Sequence, residues 1–302
     1  MSIFSAQYLR LTAIMTALVL TLSGGCGGPS GTTVDPWVAP PAGYYKPLDS
    51  TENATSTLGG VGIRGNNSDN SQLEIARAVG SLDHNPNGAL TYTDTDNSYT
   101  LTDPDGMSGL IASDGQEGQL LDESSAYNGT YEYVMPVEFT YTQNDVKYTT
   151  LGFAGIITDA AHIPVSGTAT YTGDATGFVN GSTGSFVLTN GISNISINFA
   201  AGEVDLLTLN DFTATASGTP VTAPPDTIQI TGMTIAGNTF SGGELVALLN
   251  DLPVDVTGAN TTATSEGMFF GWDSANPIPD EVGGVILVEG DAGEMRFLFV
   301  GD

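Results

Sequence analysis

From about residue 50 to the C-terminus, apolar and polar positions alternate in short runs cut by Gly, Asn and Asp, the period-two pattern of half-buried strands. Ala89–Thr93 and Ser98–Thr102 flank the turn residues Asp94–Asn97 and predict a hairpin. Tyr131–Met135 and Val137–Tyr141 alternate in the same way, Gln143–Asp145 turns the chain, and Val146–Phe153 continues it. The pattern recurs at Gly167–Tyr171, Gly184–Leu188, Ile195–Phe199, Glu203–Leu209, Thr227–Ile230, Thr264–Gly271, Val282–Glu289 and Glu294–Val300. About eight to ten strands therefore follow Gly167, at spacings typical of a barrel or sandwich. Gly173 and Gly177 suggest a tight turn after the first of them, and Gly283-Gly284 a bulge or a tight bend. Two stretches read as short helices instead: Ser71–Val79, behind an Asn/Asp-rich start able to cap it, and Gly243–Leu249. The expectation is an all-β protein.

The N-terminus follows other rules. Arg10 precedes the apolar run Leu11–Leu22, which ends in Ser23-Gly24-Gly25-Cys26. Roughly twelve apolar residues are too few for a helix to cross a ~30 Å hydrocarbon core but suit a signal-peptide core. Residues 1–25 thus read as an export signal. Cys26 is the chain's single cysteine and stands directly behind two small residues. It resembles the acylated cysteine of a bacterial lipobox, with Ser23 where Leu is usual; the alternative is a plain secretory signal with an incidental thiol. Residues 26–50, rich in Pro and Gly, read as a tether that carries Trp37, Tyr44 and Tyr45.

Charge narrows the function classes. The 302 residues include 34 acidic and 6 basic ones, a formal net charge of -28. Such a surface repels phosphate backbones and anionic lipid headgroups, so no nucleic-acid partner is expected, and membrane attachment needs an anchor rather than charge. The acidity is not a disorder signal, because 40% of residues are hydrophobic and only 13% charged.

Candidate chemistry is sparse. The two histidines, His84 and His162, lack the companions a zinc site needs. No nucleophile elbow, P-loop or dinucleotide fingerprint occurs, and carboxylate pairs are too common to single one out, so no enzyme, no cofactor and no resident metal are expected. Asp94, Asp96, Asn97, Asp103 and Asp105 form oxygen-rich turns that invite a calcium hypothesis, but they lack the Gly and Glu of an EF-hand loop. They are read as polar turns.

The C-terminal half carries a resemblance. Pro164 is followed by Gly167-Thr-Ala-Thr-Tyr171-Thr-Gly173 and then Gly177; Ile235–Gly242 follows later; the chain ends with Gly267–Gly271, Glu281-Val-Gly283-Gly284 and Phe299–Gly301. In this order the segments resemble the transferrin-binding-protein-B-like β-barrel family. Two departures are Trp272–Pro279, which stands as an insertion, and Ile286, where an aromatic is usual. The resemblance implies a C-terminal eight-stranded antiparallel barrel over residues 161–302, preceded by a smaller β-rich, handle-like region over residues 51–160. It further implies a lipid-anchored protein of the outer-membrane surface, held at Cys26, which binds without catalysis. Its partners would be an iron or haem carrier, or another nutrient ligand, and an outer-membrane transporter. A structural or adhesive coat protein with the same barrel is the alternative. The family-motif positions are Gly167, Tyr171, Gly173, Gly177, Gly271, Glu281, Gly283 and Gly284, and none of them identifies a ligand contact.

Overall fold

The computed structural model describes residues 54–302 apart from 67–72, 85–88, 94–97, 103–109, 112–116, 121–130, 144–145, 182–183, 217–218, 221–226, 248–260, 273–276 and 292. The first strands are β1 (Ala54–Asn66), β2 (Glu74–His84), β3 (Ala89–Thr93), β4 (Ser98–Thr102), β5 (Leu110–Ile111), β6 (Glu117–Leu120), β7 (Val134–Gln143) and β8 (Val146–Ile156). Six of them form one antiparallel sheet in the order β2-β1-β8-β7-β6-β5, and β3 and β4 pair as the expected hairpin. A 3-10 turn, Ala160–His162, is capped by the Asp159 carboxylate, which accepts from the Ala161 N–H.

The remaining strands are β9 (Thr168–Gly181), β10 (Gly184–Asn198), β11 (Glu203–Asn210), β12 (Thr213–Ala216), β13 (Thr219–Pro220), β14 (Thr227–Ala236), β15 (Thr239–Ser241), β16 (Glu244–Ala247), β17 (Thr262–Phe270), β18 (Glu281–Gly290) and β19 (Gly293–Gly301). Eight of these close on themselves: β9-β10-β11-β14-β15-β17-β18-β19 and back to β9, every pairing antiparallel. β12 and β13 extend the edge of β10, and β16 pairs with β14 beyond the short β15. Closure leaves the ring without a free edge, and its interior is filled by side chains. Phe240, Phe269, Phe297 and Phe299 are fully buried there, packed with Leu188, Ile195, Leu207, Leu209, Ile228, Ile286 and Met295.

A second core lies outside the ring. Val61, Ile63, Tyr131, Val134, Phe153 and Ile157 pack against Met268, Phe270, Val285, Leu287, Leu298 and Val300 from the outward faces of β17, β18 and β19. The six-stranded sheet therefore covers one wall of the barrel. β18 is consequently buried at all eight positions from Glu281 to Val288, whereas β9 and β11 alternate. A strand covered on both faces needs an unbroken apolar run, and Val282-Gly-Gly-Val-Ile-Leu-Val288 supplies one.

Several local expectations fail. The stretch expected as a helix from Ser71 lies in β2 from Glu74 onward, because it pairs with β1 from Ala54↔His84 to Arg64↔Glu74. A helix of about nine residues is marginal alone, and the long ladder with β1 outweighs its propensity. Within Gly243–Leu249, Glu244–Ala247 is β16, seated on β14 with Leu245 opposite Ile230. Gly173 and Gly177 make no turn; both lie inside the continuous β9. Gly283 and Gly284 make no bulge, since β17, β18 and β19 pair in unbroken register there. The register shifts lie instead in β10, between Leu188 and Gly191 and at Ser196–Ile197, and in β14 at Gln229–Ile230.

Candidate functional site

The sheet and the barrel meet at one corner, where β17 ends and β18 begins. Gly271 N–H donates to the Ile156 carbonyl, Thr158 Oγ1 donates to the Gly271 carbonyl at 2.6 Å, and Ile157 bridges to Phe270. Gly271 has φ +63, and a Cβ there would run into the Tyr133 ring. Beside it stands Glu281, 4% exposed. Its Oε1 accepts from the Glu132 N–H at 2.6 Å, and its Oε2 accepts from Tyr133 N–H at 3.0 Å and Val134 N–H at 2.9 Å. Three consecutive amides of the segment entering β7 thus converge on one carboxylate from the barrel. Burial pushes the Glu281 carboxyl up to about 7; the three N–H bonds oppose that rise, and the neighbouring Glu132 charge adds to it.

Tyr131 makes the second anchor. The β9–β19 ladder stops at Ala175–Phe299 and resumes as paired bonds between Thr172 and Asp302. In the gap, the Asp174 N–H donates to the Tyr131 hydroxyl at 3.2 Å, and that hydroxyl donates to Asp174 Oδ2 at 2.9 Å. The orphaned Val300 carbonyl accepts from Ser193 Oγ at 2.5 Å. Gly173 belongs to this gap, since a Cβ there would sit 2.7 Å from the Tyr131 hydroxyl. Burial, reinforced by Asp174, keeps the Tyr131 phenol protonated.

The other motif residues are scattered along the barrel wall. Gly167, at φ +89, precedes β9, and Tyr171 donates its hydroxyl to the Pro279 carbonyl at 2.8 Å. Gly177 lies under the Phe297 ring, and Gly283 and Gly284 stand in the middle of the doubly covered β18. Tyr171, Gly173, Gly271 and Glu281 thus gather at one end of the barrel, and Gly177 does not. His162 stacks on Trp272 at that end, ring centroids 4.1 Å apart and 10° from parallel. Tyr131, Asp174 and Thr158 were missed in the sequence. The one legible hint was Asp174 itself, a lone acid between glycines in an otherwise neutral strand.

Electrostatically the chain separates its charges. No Lys or Arg occurs between Lys147 and Arg296, so most of the barrel carries carboxylates and no cation. The described arginines are each engaged: Arg64 with Glu74, Arg77 with Glu266 across the sheet and barrel, and Arg296 with Glu294. Burial raises the Glu294 carboxyl against the lowering pull of Arg296. Among the described residues no group of three or more His, Cys, Asp or Glu side chains is placed to hold a metal ion. The calcium candidates Asp94, Asp96, Asn97, Asp103 and Asp105 lie outside the described residues, as do Cys26, Trp37, Tyr44 and Tyr45. No described helix is long and apolar enough to cross a membrane.

No known protein family's profile matches this chain, and no curated protein matches it. Among solved structures it is similar to a point mutant of transferrin-binding protein B from Haemophilus parasuis Hp5, at 15% identity and TM-score 0.46, over 82% of this chain and 45% of that one. It is also similar to transferrin-binding protein B from serogroup B Neisseria meningitidis, at 17% identity and TM-score 0.44, over 83% of this chain and 44% of that one. A third likeness is to a surface lipoprotein, at 14% identity and TM-score 0.36, over 81% of this chain and 98% of that one. The chain spans less than half the length of the first two.

Proposed function

We propose that this protein is a lipid-anchored surface binding protein without catalytic activity, tethered to the outer membrane through Cys26 and using its barrel as a rigid scaffold. Residues 51–160 would form a handle-like unit and residues 161–302 the barrel. The observation that carries the reading is the filled lumen: Phe240, Phe269, Phe297 and Phe299 occupy the space in which a small ligand would sit in a hollow barrel. Recognition then falls to the loops and outer faces, a geometry suited to a protein ligand. An iron- or haem-carrying protein, or another nutrient ligand, handed on to an outer-membrane transporter, is the ligand class that the family resemblance implies. Two measurements test this. The unlipidated chain is immobilised and challenged with iron- and haem-carrying proteins, and free haem is titrated spectroscopically. Retention of a carrier supports the reading. Failure to retain any, together with an unchanged haem spectrum, would favour a structural or adhesive coat protein. A Cys26→Ser form is expected to leave the membrane fraction; its staying cell-associated without lipid removes the anchor.

A further inference from the structure

The end of the barrel that carries Gly271 and Glu281 presents an apolar surface in an otherwise acidic chain. Ala160, Ala161, Val165, Ala200, Ala201 and Ala236 face solvent there, and Val165 is 89% exposed. They belong to three connections that touch. Phe199 N–H donates to the Gly167 carbonyl at 3.0 Å, and Ile235 N–H donates to the Gly202 carbonyl at 2.8 Å. A Cβ on Gly237 would lie 3.4 Å from Ala160 Cβ. Segment 160–167, the β10–β11 turn and the β14–β15 turn therefore form one continuous face. Half-buried Trp272, stacked on His162, borders it, and Ile163 and Ile278 pack beneath it on the lumen core. Contiguous exposed apolar surface marks a docking face, and alanines give up almost no rotamer freedom when covered. Carboxylates stand at the margin: Glu132, Asp159, Glu203 and Asp302 are exposed and Asp280 is half-buried.

The chain also enters at this end. β1 runs antiparallel to β8, Leu58 pairs with Ile156, and the Ile156 carbonyl accepts from Gly271 N–H. β1 thus starts on the Gly271 side and runs away from it. We propose that this apolar end is a lipid-docking face, resting on the zwitterionic headgroup layer of the membrane that holds the Cys26 anchor. The inference rests on the anchored reading given above. Under that reading the tether 26–50 would average about 25–30 Å end to end, which keeps this face close to the bilayer. The acyl anchor supplies attachment and the face supplies orientation. Trp272 sits at headgroup depth, where an indole is at ease with its apolar ring inward and its N–H toward water. The acidic margin favours neutral over anionic lipid, because like charges repel across the contact. Docking in this pose points the β9–β10 and β18–β19 turns, which meet at Gly181↔Gly293 on the opposite end, outward to a protein ligand.

Depth-dependent fluorescence quenching tests this. The chain from Cys26 onward carries Trp37→Phe, which leaves Trp272 as its one tryptophan, and is coupled through its single thiol to a maleimide lipid in phosphatidylcholine vesicles. Trp272 emission is compared with and without phosphatidylcholine bearing a nitroxide high on its acyl chain. Quenching is expected. It should weaken when phosphatidylglycerol is mixed in and recover as sodium chloride screens the repulsion. Val165→Asp combined with Ala200→Asp places two charges on the face without entering the core, and the quenching should then be lost while circular dichroism stays unchanged. If that variant does not fold, Ala201→Asp serves in its place. No quenching in the coupled parent chain, undiminished quenching in the charged variant, or stronger quenching on phosphatidylglycerol overturns the docking face. Because coupling is chemical, none of these outcomes depends on acylation in the cell; the Cys26→Ser fractionation judges the anchor separately.

Discussion

Two adjacent glycines in β18 should respond unequally to the same methyl group. Gly284 faces Gly267 across the β17–β18 ladder, and this glycine pair makes room for the rings of Phe240 and Phe299 against the barrel wall. A Cβ on Gly284 would lie 2.5 Å from the Glu266 carbonyl oxygen, 2.5 Å from Phe299 Cζ and 2.9 Å from Gly267 Cα. Two of these three neighbours are backbone atoms of a hydrogen-bonded strand and cannot rotate away. Overpacking of this kind costs about 1–3 kcal/mol, and the loss of unfolded-chain freedom on Gly→Ala returns only about 0.4–1 kcal/mol. Gly283 points instead into the sheet–barrel core, where its Cβ would approach the rings of Phe153 and Phe270 at 3.3 Å. Those rings can yield by tenths of an ångström, so Gly283→Ala should stay within about 1 kcal/mol of the native protein. With rigid backbone in the way the cost falls towards the upper end, a net of about 2 kcal/mol, so Gly284→Ala is expected to melt roughly 4 to 8 °C lower, at about 2–4 °C per kcal/mol for a large domain. Paired thermal and urea denaturation of the two variants is the assay. Equal destabilisation, or a Gly283→Ala variant worse than Gly284→Ala, would refute the assignment of one glycine to the lumen and the other to the covered wall.

Phe153, 1% exposed between the sheet and the barrel, should cost about 3–5 kcal/mol when cut to Ala, and urea unfolding followed by signals from both sheets checks it. Tyr131→Phe leaves the Asp174 N–H and carboxylate without the hydroxyl that fills the β9–β19 gap; a loss of about 1–3 kcal/mol is expected in chemical denaturation. Because the net charge is -28 and the described arginines are internally engaged, added sodium chloride should raise the melting temperature by screening self-repulsion; a lower melting temperature in salt contradicts this.

Period-two alternation, turn residues and the scarcity of long helix formers were enough by themselves to establish an all-β chain and to mark most barrel strands, because side-chain periodicity is a local property of the pleat. The β3–β4 hairpin was legible for the same reason. The charge imbalance and the signal-like N-terminus were equally plain in the residues alone. The roles of the glycines were not: Gly173 answers to a tyrosine hydroxyl more than forty positions away, and Gly284 to Phe299 and to the backbone at Glu266. Whether a glycine ends a strand or admits a neighbour depends on what approaches it, and that is set by pairing across the ring. The same holds for Ser71–Val79, whose helical signature yields to the β1 ladder from Glu74 onward. Glu281 carried a motif signal but no hint of its partners, since the three amides it captures lie nearly 150 residues earlier. Closure of the barrel and seating of the sheet on its outer wall bring those groups together. Only the tertiary structure could make that carboxylate buried and amide-bound.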